Sequence, residues 1–129
     1  MIDTELLRKT IAEIAPQYDL QAAILFGSQA RGDANRLSDI DIGIAVKSEL
    51  STIEVGQIAA AISQKMAIDV EVAQLAQMSP IYQRGAIEDG ILLYEREPGW
   101  FDRFAVYVYD LYWESKKLLA LRRQYLQTL

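Results

Sequence analysis

Apolar positions change rhythm along this chain, and each change marks an element. Leu6, Leu7, Ile11 and Ile14 recur at helical spacing, with Asp3 or Thr4 placed to cap the segment and Pro16 placed to end it. AAILFG, from Ala22 to Gly27, is a short continuous apolar run closed by glycine, the pattern of a buried strand. The rhythm becomes two-fold in DIDIGIAV, where Ile40, Ile42, Ile44 and Val46 share one face and Asp39, Asp41 and Gly43 the other. Helical spacing returns in STIEVGQIAAAISQKM, which opens on a Ser51–Glu54 capping box and carries Ile53, Ile58, Ala61 and Ile62 as a stripe.

Two-fold alternation resumes in AIDVEVAQL, with Asp69 and Glu71 on one face and Ile68, Val70 and Val72 on the other. SPIYQRGAIEDG reads as a helix capped by Ser79, with Pro80 in its first turn and Gly90 as its stop. ILLYE, from Ile91 to Glu95, is a further short strand, and Pro98-Gly99 separates it from a long helix over about 100–127. The order predicts one α+β domain over residues 1–129, with a core of about 1–97 and a trailing helix.

Composition narrows the chemistry. At 129 residues and 51% apolar content the chain can close a single core. The net charge of −5, with no separation of sign until the last third, argues against bulk DNA binding. Cysteine and histidine are both absent, which excludes disulfides, thiolate sites, histidine bases and the usual zinc centres. Any metal must be held by oxygen, favouring magnesium, manganese or calcium. The opening MIDTELLRKT lacks the layout of a signal peptide and no apolar run approaches a membrane span, so a cytoplasmic protein is expected.

The stretch FGSQARGDANRLSDIDIG, Phe26 to Gly43, holds the candidate chemistry. Gly27 lets a phosphate approach the backbone closely, and Ser28 adds a hydroxyl where a short helix can begin. Asp39 and Asp41, two apart on a strand, point the same way and can share divalent metals. Asp69 offers a third carboxylate if the two alternating strands are neighbours. Paired metals about 3.5–4 Å apart stabilise both the attacking and the leaving oxygen of a phosphoryl displacement. Taken singly, Ser38-Asp39 caps a turn and Asp41 is a solvated edge charge; their joint spacing argues for a site.

That spacing resembles the G-S-x10-D-x-D signature of the DNA polymerase beta-like nucleotidyltransferases. Here it is Gly27-Ser28, ten residues from Gln29 to Ser38, then Asp39-Ile40-Asp41. The longer form, with IDVEVAQL and GILLYE, is similar to the minimal nucleotidyltransferases (MNT) and covers most of residues 20–95. The resemblance implies a mixed β-sheet flanked by helices, with Asp39 and Asp41 as Mg2+ ligands. It makes Gly27 and Ser28 contacts to ATP, and implies transfer of AMP with release of pyrophosphate. Two Mg2+ ions are implied, with Mn2+ as a substitute. Asp69 matches the family's third carboxylate, which binds the catalytic metal and helps deprotonate the acceptor; Glu71 shares its face. Arg31 and Arg36 either meet the triphosphate or are solvated loop charges.

For the acceptor, the resemblance implies a partner: minimal nucleotidyltransferases are antitoxins that place AMP on a tyrosine of a helical HEPN-type RNase toxin. Two other readings stand beside it, a non-catalytic antitoxin acting by occlusion and an enzyme modifying a small molecule such as an aminoglycoside. Eight of the twelve aromatic residues lie after Pro98. Phe101, Phe104, Val108, Leu111, Leu118 and Leu119 form a stripe able to pack on the domain, while Tyr107, Tyr109 and Trp113 widen the apolar girth toward a partner. Lys116, Lys117, Arg122 and Arg123 either suit the helix dipole or touch RNA or an acidic partner.

Overall fold

The computed structural model describes residues 2–32 and 39–129. Helix α1 (Thr4–Tyr18) starts from Asp3, whose carboxylate accepts from the Leu6 N–H at 3.0 Å. Strand β1 (Leu20–Phe26) leads to the single-turn helix α2 (Ser28–Arg31). Strand β2 (Ile40–Val46), helix α3 (Thr52–Met66) and strand β3 (Val70–Gln74) follow as a βαβ unit, and a 3-10 turn (Leu75–Gln77) leaves β3. Helix α4 (Pro80–Asp89), strand β4 (Ile91–Glu95) and helix α5 (Trp100–Gln127) complete the chain.

The strands order as β3-β2-β1-β4, with β2–β3 parallel and both pairings of β1 antiparallel. The fold is therefore the α+β mixed sheet flanked by helices. Alternation along each strand divides the core into two layers. Leu25, Ile40, Ile42 and Ile44 face α1 and α3, meeting Leu7, Ile11, Ile58 and Ile62, all buried. Ile24 and Phe26 face the other way, toward Leu75, Ala86, Trp100 and Phe104.

Several local expectations differ from what is observed. Helix α1 runs through Pro16 to Tyr18 and ends at Asp19, a left-handed residue whose N–H reaches Ala15 and Pro16 carbonyls. So near the C-terminus, proline removes one hydrogen bond from a turn that is already closing. Ser79 precedes α4 without a side-chain cap bond. Ile53 is 74% exposed, since it lies in the first turn of α3, away from the sheet.

Helix α5 packs only over its first half. Val108 is fully buried, and Trp100 stacks on Phe104 with ring centroids 4.9 Å apart. Glu88 of α4 accepts from Arg84 and from the Tyr109 hydroxyl, clasping the two helices. Leu118 and Leu119, expected to continue the packed stripe, are instead exposed, because the sheet ends before the helix does. From Lys116 to its end every residue of α5 is exposed, a free shaft of about 18 Å.

Candidate functional site

The site lies where the C-terminal end of β1 meets the N-terminal end of β2, at one end of the two central strands. Antiparallel pairing sets Phe26 opposite Asp41, so Gly27 follows just past Asp41. Gly27 has φ +74, a left-handed conformation, and a Cβ built on it would collide with Asp41 Oδ2 and stand 3.3 Å from its Cγ. The glycine is thus required twice, for the turn into α2 and for the room it leaves the carboxylate. The Arg31 N–H donates to the Gly27 carbonyl at 3.2 Å, closing the turn of α2.

Parallel pairing then sets Glu71 beside Asp41. Two residues back along the same register Asp69 comes level with Asp39, and the Asp69 carbonyl accepts from the Ile40 N–H at 2.9 Å. Asp41 is half-buried, whereas Asp39, Asp69 and Glu71 are exposed. Burial, the Glu71 charge, a hydrogen bond shared with Glu71 and the Asp39 charge push the Asp41 carboxyl above its ordinary 3.8. The Arg31 guanidinium pulls against them, which places its charge within reach of the site.

Of the residues singled out in the sequence, Gly27, Arg31, Asp39, Asp41 and Asp69 fall at this one end of the strands. Arg36 lies outside the described residues, and Ser28 is the first residue of α2. Among the described residues no three carboxylates stand close enough together to hold one ion. The donor set nonetheless fits a hard cation. It consists of carboxylate oxygens only, and besides burial the charges of Glu71 and Asp39 raise the Asp41 carboxyl, a repulsion that a divalent ion at Asp39 and Asp41 would relieve. Glu71 is the neighbour whose weight sequence reasoning understated. The alternation put it on the right face, but its zero offset from Asp41 depends on how two strands align.

Comparison with known proteins decides the family. Residues 9–99 match the profile of the polymerase beta nucleotidyltransferases. The chain belongs to that family. It is accordingly a nucleotidyltransferase. A Methanocaldococcus jannaschii protein named as a candidate protein adenylyltransferase is 27% identical over 88 residues, covering 68% of this chain and 90% of that relative. A toxin–antitoxin structure solved with AMP-PNP aligns at TM-score 0.76 and 24% identity, covering 94% of this chain and 96% of the other. The complex of a tri-AMPylated Shewanella oneidensis HEPN toxin with an MNT antitoxin contains a similar chain. That chain aligns at TM-score 0.72 and 22% identity, covering 98% of each. A minimal nucleotidyltransferase aligns at TM-score 0.58 and 21% identity, covering 70% of this chain and 95% of the other. Among the described residues no helix is long and apolar enough to cross a membrane.

Proposed function

We propose that this nucleotidyltransferase is the antitoxin of a HEPN-type RNase toxin and transfers AMP from ATP to a tyrosine of that toxin. One observation carries the reading. The similar chains from toxin–antitoxin structures extend over 94% and 98% of this chain, whereas the minimal nucleotidyltransferase covers only 70%. The exposed shaft of α5 is the feature that a stand-alone catalytic domain does not need. Exposed aromatic and apolar side chains of α5, Tyr107 and Trp113 ahead of the shaft and Leu118 and Tyr125 on it, suit the core of a protein interface.

The chemistry assigned to the site follows from its groups. The backbone turn at Gly27 and Ser28 and the Arg31 charge receive the triphosphate. Asp39 and Asp41 would hold Mg2+, for which Mn2+ would substitute, with Asp69 joining them only if its side chain closes on the ion. The metal would there neutralise the phosphate oxygens and polarise the α-phosphorus. The tyrosine oxygen forms a bond to that phosphorus, the bond to the bridging oxygen breaks, and pyrophosphate departs. Asp69 takes the phenolic proton.

Co-expression of the chain with the neighbouring open reading frame, followed by intact-mass measurement of both proteins, tests this. A gain of one or more AMP units on the partner is expected. Neutralisation of the partner without any mass gain would assign the chain to occlusion instead.

A further inference from the structure

β3 is the end strand of the sheet and pairs only with β2 among the described residues. The Ile40 N–H donates to the Asp69 carbonyl, so Asp69, Glu71 and Ala73 turn their backbone groups toward β2. In a parallel ladder Val70, Val72 and Gln74 then turn theirs outward. Helix α3 borders this outer edge through Thr52, Val55, Gly56 and Ala59. Two depressions share Thr52, Val55, Val72 and Ala73 and so make one trough. The trough opens on Asp41 and Glu71 at one end and reaches Glu49 and Gln77 at the other.

We propose that this trough seats an extended segment of the acceptor polypeptide as a further strand on β3, carrying its hydroxyl-bearing side chain to the Asp41–Glu71 end. Outward N–H and C=O groups at strand spacing are matched by another polypeptide backbone. The five residues of β3 span about 16 Å, room for a segment of similar length. Among the described residues every ionisable one lining the trough is acidic: Asp41, Glu71 and Glu49. That lining repels a phosphate backbone and favours a segment with a lysine or arginine near Glu49. Gly56 leaves the middle of the trough open, since a Cβ there meets nothing within 4 Å. What is delivered rests on the transfer reading above; the seating of a strand does not.

The test uses the full chain, labelled with 15N, and a short peptide of alternating valine and threonine with a central tyrosine and a terminal lysine. Amide shifts are expected at Val70, Val72 and Gln74, with exchange at Val72 slowed about tenfold or more on saturation. Gly56→Phe, which fills the trough from a helical position that gains propensity, removes both effects while circular dichroism shows an intact fold. Shifts confined to other surfaces, or none at all, overturn the proposal. So do the same amides responding to octauridylate instead, or β3 signals that broaden with protein concentration alone, which would indicate a second copy. A kinetic arm separates this proposal from the transfer reading. Gly56→Phe and Val72→Pro, the latter deleting an outward N–H at some cost to the packing of the half-buried Val72 side chain, are expected to raise the KM for the partner protein about tenfold. Wild-type KM in both variants overturns the trough and leaves transfer standing. A seated peptide with no AMP transferred by the wild type leaves the trough standing and overturns transfer.

Discussion

The backbone of Gly27 lies against the carboxylate of Asp41 so closely that no side chain fits between them. Gly27→Ala therefore meets a left-handed φ, which costs about 1–2 kcal/mol, and a collision with the carboxylate besides. AMP transfer is expected to fall by roughly 100-fold or more, with Tm lower by several degrees. Transfer assays and a thermal melt on the same preparation check both.

Asp41 sits in the fold with its carboxyl raised, mainly by burial and by Glu71. Compared with the unfolded chain, the metal-free fold favours the protonated form of this carboxyl. The metal-free protein therefore gains stability from this group as pH falls through its folded pKa toward the ordinary 3.8, and loses it as pH rises. Asp41→Asn is expected to raise the metal-free Tm at neutral pH by roughly 2 °C, the site being partly solvated, with the gap closing in acid. Protons compete with the cation for the same oxygens, so Mn2+ affinity measured by calorimetry should weaken as pH falls and vanish in the variant.

Glu71 and Asp69 differ in what their removal should do. Asp69→Asn removes the assigned proton acceptor, and kcat is expected to drop about 100-fold or more with little change in the KM for ATP. Glu71→Gln removes a charge that holds Asp41 up. Transfer should persist, with the acid limb of its pH–rate profile moved to lower pH. A larger kcat loss in Glu71→Gln than in Asp69→Asn would reverse the two roles.

The two halves of α5 should separate by experiment. Val108 is fully buried, so Val108→Ala is expected to cost about 2 kcal/mol of folding stability. Trp113 is 58% exposed and Leu118 67%, so Trp113→Ala and Leu118→Asp should change stability by no more than about 0.5 kcal/mol. If the exposed side of α5 is the interface, both should weaken binding of the partner about tenfold or more. Denaturant melts and surface-bound partner titrations give the two readouts.

Much of this was legible because periodicity and spacing are local. The alternation of Asp39 to Val46 and the capping box at Ser51 and Glu54 appear in the structure as read. Gly27 and the aspartate pair were recognisable from their separation alone. Register was not legible: nothing in the sequence sets Glu71 rather than Asp69 directly beside Asp41. The extent of burial along α5 was hidden too, since an apolar stripe looks the same whether it meets the sheet, as Val108 does, or solvent, as Leu118 does. Pro16 misled for a related reason, because its cost depends on how much helix remains after it.

Gln74, buried at the far end of β3, accepts from the Leu50 N–H at 2.9 Å and donates back to the Leu50 carbonyl at 3.1 Å. Leu50 belongs to the segment leaving β2, so the side chain ties the tail of one strand to the exit of its neighbour. A one-residue slip of β3 along β2 would turn Glu71 away from Asp41 and take Val70 and Val72 off the core. Gln74 acts as the end-stop of that slide. The alignment of the carboxylates is latched at the opposite end of the sheet from the carboxylates themselves.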